Sequence, residues 1–102
     1  MATFTLTNNA EEDMKELKSY SLKQFGKKVT HEYLSGMLTT LQSLTDNWQV
    51  GRNEAEVLNI PDVRSFPYMR HMIYYISTPP NIVVIGILHQ SRLPCILQHR
   101  YP

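Results

Sequence analysis

The side chains of this sequence best suited to chemistry are gathered in one stretch. Arg64, Arg70 and His71 precede an apolar run at 72–76, and His89 and Arg92 follow a second at 82–88. Histidine, with an unperturbed pKa near about 6.5, gives or takes a proton at neutral pH. The arginine fork binds carboxylates and phosphates in bidentate fashion. The set therefore suits either acid–base work on a charged substrate or the holding of an anionic partner. Metal and disulfide chemistry are not supported. Cys95 is the one cysteine, so no internal disulfide forms, and four dispersed histidines without a Cys-x-x-Cys pair lack the ligand spacing of a zinc site. His31-Glu32 opens like a zinc-protease motif, but no histidine follows four residues on. Neither a metal nor a cofactor is expected.

The charge distribution points the same way. The net charge is +1, but residues 1–62 carry all nine acids against five lysines and Arg52, a balance of −3. Residues 63–102 carry Arg64, Arg70, Arg92 and Arg100 with no acid, a balance of +4. Such a segment reads as a surface for carboxylates or phosphates; the alternative is that four spread arginines only keep the chain soluble. The acidic first half and the lack of a basic-faced recognition helix disfavour a DNA-binding module.

These residues need elements to position them. At 102 residues and 42% hydrophobic content, the chain is expected to form one domain, 1–102, with a modest core. The longest apolar run is far short of the roughly 18 residues of a membrane span, and the first residues lack the pattern of a signal peptide. A cytoplasmic protein is expected. Thr3 to Thr7 alternates at period two and predicts a short strand, after which Asn8 or Asn9 can cap a helix whose first turn holds Glu11, Glu12 and Asp13. Met14, Leu17, Ser21 and Phe25 make its apolar stripe, and Gly26 ends it. A second helix over about Lys27 to Asp46 carries Leu34, Met37, Leu38, Leu41 and Leu44 on one face, so the two helices are expected to fold back as a hairpin. Periodicity is lost from Asn47 to Pro61. Val63 to Tyr68 is a candidate strand, with Pro67 marking an edge or end. The runs at 72–76 and 82–88, joined by Ser77-Thr78-Pro79-Pro80-Asn81, predict a β-hairpin.

The fold class is therefore α+β: an N-terminal strand, then a two-helix antiparallel hairpin packed on one face of a small antiparallel β-sheet, then a C-terminal tail or short helix. Met72, Tyr74 and Ile76 are as apolar as Ile73 and Tyr75, so both faces of the sheet call for cover. With helices enough for one face, the other is expected to stay open and bind a partner or a second copy.

Three segments resemble ParE-type toxins of bacterial type II toxin–antitoxin systems, part of the ParE/RelE superfamily: Arg64-Ser-Phe-Pro, His71-Met-Ile-Tyr-Tyr, and Val83-Val-Ile-Gly-Ile-Leu-His-Gln-Ser-Arg92. Tyr74 stands where the family usually has Phe, and Leu93-Pro94 replaces the acidic residue common after the last arginine. The resemblance implies a RelE/ParE-like fold and a non-enzymatic poison of DNA gyrase that traps the cleaved-DNA complex. It also implies neutralisation by a ParD-type antitoxin, within a hetero-oligomer that can include a toxin dimer. Target binding is expected from Arg64, Arg92, Ile96, Leu97, Arg100 and Tyr101, and antitoxin binding from His71, Tyr74, Tyr75 and His89. RelE-type relatives instead cleave messenger RNA on the ribosome with basic side chains. Here the corresponding places hold His71-Met72 and His89-Gln90, so an endoribonuclease would rely on His71, His89 and Arg92.

Overall fold

The computed structural model describes residues 3–100. Five strands form one sheet in the order β1-β5-β4-β3-β2: β1 (Phe4–Leu6), β2 (Arg52–Asn53), β3 (Val63–Tyr68), β4 (His71–Thr78) and β5 (Asn81–His89). The sheet is mixed rather than antiparallel, because β1 runs parallel to β5, with Phe4 opposite Ile82 and Leu6 opposite Val84. The other neighbouring pairs are antiparallel.

Between β1 and β2 lies α1 (Asn8–Asp46), a helical run of 39 residues, so the expected pair of separate helices is corrected to a single element. Its N-cap is Thr7, whose hydroxyl accepts the Ala10 amide at 3.2 Å, rather than Asn8 or Asn9. A straight helix of this length would span about 58 Å. The longest dimension of the molecule is 37 Å, and the difference is taken up at Gly26, where φ is 84° and ψ 180°. Only glycine adopts that conformation without a Cβ penalty. The Thr30 hydroxyl donates to Ser21 Oγ at 2.7 Å across the bend, although nine helical residues would separate them by about 13 Å. Both arms, 8–25 and 27–46, reach the same sheet face: Ala10 and Leu17 from one, and Met37, Leu41 and Leu44 from the other, pack on Ile73, Tyr75, Ile82, Val84 and Ile87. Phe25 and Leu38, expected inside, are exposed.

The opposite face is not open. The region of lost periodicity forms a 3₁₀ turn (Trp48–Val50), β2 and the single-turn helix α2 (Ala55–Leu58), and residues Pro94–His99 form a 3₁₀ helix. Leu58, Ile60 and Leu97 from these pieces close over Val63, Tyr74, Ile76, Ile85 and Leu88. The chain thus covers its second face with short irregular segments that carry no periodic signal.

A β-bulge adjusts the central hairpin. Tyr74 pairs with Gly86 and Tyr75 with Val84, leaving Ile85 as the extra residue. Side chains alternate across a strand, so the extra residue reverses the parity of everything after it. Ile82 and Val84 face α1, and so does Ile87. Gly86 stands where a Cβ would meet the Leu97 side chain at 2.6 Å, which lets the C-terminal helix lie close on the strand.

Candidate functional site

The turn between β3 and β4 contains only Met69 and Arg70, since Tyr68 pairs with His71. Met69 adopts φ 52°, the left-handed conformation that two-residue hairpin loops demand, and its side chain is exposed. The Arg70 carbonyl accepts the Gln90 amide at 2.8 Å, and the His89 carbonyl accepts the Arg92 amide at 2.8 Å. The two chain reversals are thereby fixed side by side. His71 pairs with His89 across β4 and β5, their rings 5.4 Å apart between centroids and edge-to-face. His71 shares the α1 side with Ile73 and Tyr75 by the alternation of β4, and the bulge in β5 brings His89 to that side as well.

The second arm of α1 supplies Tyr33, whose hydroxyl lies 2.7 Å from His71 Nδ1. Tyr33 packs edge-to-face on Tyr68 at 5.1 Å, and the Tyr68 hydroxyl donates to the Tyr33 carbonyl at 3.0 Å. Burial, then the neighbouring His89, pushes the His71 pKa below its ordinary value, with Asp13 acting weakly the other way. Burial raises the Tyr33 pKa, and the phenol hydroxyl and His71 Nδ1 share a hydrogen bond whose direction is set by the imidazole tautomer. His89 is exposed, and its Nδ1 accepts the Ser91 amide at 3.1 Å.

These groups form one end of a groove of about 700 Å³ between the bent helix and the strand ends. Arg70 and Arg92 stand at the same end as the histidines, while Tyr20, Phe25, Val29 and Met69 give the rest an apolar lining. Tyr20 and Phe25 of α1 and Met69 of the β3–β4 turn are 63%, 58% and 73% exposed, a concentration of uncovered apolar surface along the groove.

Asp13 lies on the inner wall of the groove and is buried, but its charge is consumed. Arg100 grips it with two hydrogen bonds, 2.7 Å to Oδ2 and 3.0 Å to Oδ1, and the Ile87 amide donates to Oδ2 at 3.0 Å. β1 ends opposite Val84, so the carboxylate caps an edge of β5 that no strand covers and anchors the C-terminal segment to α1. Among the described residues no cluster of three metal-ligating side chains occurs, and no helix is long and apolar enough to cross a membrane.

Over residues 4–94 the sequence matches the family described as ParE toxin of type II toxin-antitoxin system, parDE. The chain belongs to the ParE toxin family. No curated protein matches the sequence. A solved structure described as a chromosomal ParDE TA system from P. aeruginosa shares the fold, with a TM-score of 0.70 and 13% identity over 87% of this chain and 96% of that one.

In this ParE-family chain the site residues expected from sequence separate into two groups. His71, His89 and Arg92 come together in the groove. Tyr74 and Tyr75 are buried on opposite faces, Tyr75 donating to the Trp48 carbonyl at 2.8 Å, so neither offers a partner a surface. Arg64 donates to the Gly51 carbonyl at 2.8 Å and lies 5.1 Å over the Trp48 ring. Leu97 is fully buried, Ile96 partly so, and Arg100 holds Asp13. Tyr101 lies outside the described residues.

Tyr33, Asp13 and the exposed bend were missed. One signal was available: Asp13 sits four residues before Leu17 and eight before Ser21, in the inward row, where an acid needs a buried partner.

Proposed function

We propose that this chain is the toxin of a type II toxin–antitoxin module that acts in the cytoplasm on DNA gyrase, stabilises its cleaved-DNA complex without being an enzyme, and is silenced by a ParD-type antitoxin. The family match over residues 4–94 carries the reading. The groove is the antitoxin surface, with His71 and His89 at its polar end and the apolar lining at the bend as its anchor. Gyrase contact falls to Arg92 and the segment after it, where Leu93 is 74% exposed; Arg64, Leu97 and Arg100 contribute by shaping that segment and its support. The test is a supercoiling and DNA-cleavage assay with the purified toxin. Lost supercoiling with linear DNA held on protein supports the reading, and unaffected gyrase sinks it.

The paired histidines support a second reading, an endoribonuclease. One imidazole would take the proton of a ribose 2′-hydroxyl as its oxygen attacks phosphorus, and the other would protonate the departing 5′-oxygen, leaving a 2′,3′-cyclic phosphate and a 5′-hydroxyl. Arg92 would face the developing phosphorane charge. A programmed-ribosome cleavage assay separates the two. Cut messenger that survives in wild type but disappears in a folded His89→Ala variant favours the nuclease.

A further inference from the structure

We propose that the groove selects an acidic amphipathic segment of the antitoxin, and that a carboxylate of that segment docks against His71, His89, Arg70 and Arg92 with uptake of a proton. The inference rests on the reading of the chain as an antitoxin-neutralised toxin and adds the chemistry of the partner and a proton linkage.

Charge complementarity identifies the occupant. Of the two acids on the groove wall, Asp13 is neutralised by Arg100, which leaves Glu16 against two arginines and two histidines. The five lysines of the chain, Lys15 to Lys28, lie on the first arm and just past the bend and are exposed, Lys15 being paired with Glu12 at 3.4 Å, so the groove's own cationic side chains are Arg70 and Arg92. The rest of its lining is apolar, with the rings of Tyr20 and Phe25 and the isopropyl group of Val29 near the bend and the Met69 thioether at the β3–β4 turn. A peptide alternating apolar and acidic residues meets both demands.

Proton linkage follows from the geometry of the histidine pair. The charged and titratable groups facing His71 are Tyr33, Asp13 and Glu16 of α1, Tyr68 of β3, Arg70 of the turn, His89 of β5 and Arg92 beyond it. In the free toxin burial, then the His89 ring packed edge-to-face at 5.4 Å, lowers the His71 pKa and so disfavours its charged form. A carboxylate placed at this end reverses the local balance and favours imidazolium. The site accommodates that state, because the Tyr33 hydroxyl has a second acceptor in the Tyr68 carbonyl at 3.5 Å and can turn its proton there while accepting from His71 Nδ1.

The test is calorimetric titration of the full-length toxin with a full-length ParD-type antitoxin that neutralises it, in two buffers of different ionisation enthalpy, from about pH 8 to about pH 6. Expected are net proton uptake and affinity at least about threefold tighter at the acid end. Proton uptake should fall in His71→Gln and in His89→Gln, with folding checked by circular dichroism. Arg92→Gln should weaken binding while proton uptake persists. A tight complex with no proton uptake, indifferent to Arg92→Gln, overturns this inference and leaves the antitoxin reading standing. Absence of any complex at either pH overturns both. Displacement of the antitoxin by a single-stranded RNA oligonucleotide would assign the groove to nucleic acid and also overturn the inference.

Discussion

The two faces of the sheet are equally apolar but end in opposite situations. On one, short segments with no periodicity, α2 and the C-terminal 3₁₀ helix, seal Tyr74, Ile76 and Ile85 completely. On the other, a helical run of 39 residues bends at Gly26, and its arms leave a groove beside the strand ends. Cover by many small pieces adapts to a surface, whereas cover by a rigid rod leaves a gap wherever the rod turns. The arginines divide likewise. Arg64 and Arg100 are held by carbonyls, an indole and a carboxylate, so they act as struts. Arg70 and Arg92 remain exposed at the groove.

Breaking the sealed side should cost the most. Arg100→Ala strands the buried Asp13 carboxylate, and a loss of about 3 kcal/mol is expected in chemical denaturation, with most of it recovered by a second change, Asp13→Leu, if the pair is a strut and nothing more. Leu97→Ala opens a cavity over Gly86 and should lose about 2–4 kcal/mol. A smaller effect, about 1 kcal/mol, is expected for Gly26→Ala, from the strain of a Cβ at positive φ rather than from any clash, since open space surrounds that position.

The groove side should respond in function and hardly in stability. Arg92→Gln is expected to leave denaturation within about 0.5 kcal/mol of wild type while antitoxin affinity falls. A large stability loss would erase the distinction between struts and free arginines. The pH dependence of stability sharpens the comparison further. The folded-state pKa of His71 is lowered, so the unfolded chain binds the proton more readily. Its contribution is full above the unfolded value and is lost as pH falls below it toward the folded value. Replacing His71 by Gln should therefore flatten the decline in melting temperature from neutral to mildly acidic pH, and an unchanged decline would place the responsible group elsewhere.

How much was legible beforehand follows from the range of each interaction. The first strand, the Gly26 break, the inward row through Leu17, Met37, Leu41 and Leu44, and the central hairpin rest on local periodicity and on residues with special backbone freedom. His71 and His89 stood out through their positions at the ends of paired runs. Tyr33 and the Arg100 grip on Asp13, across 87 positions, had no local signature.

The sequence by itself determined the family, the apolar hairpin and the arginine-only second half, because side-chain type and spacing carry those directly. Tertiary structure alone decided which arginines are free and which face His89 takes. The physical reason for the second is one extra residue, Ile85, which reverses the alternation of β5 and brings His89 to the same face as His71, against Tyr33 and the groove.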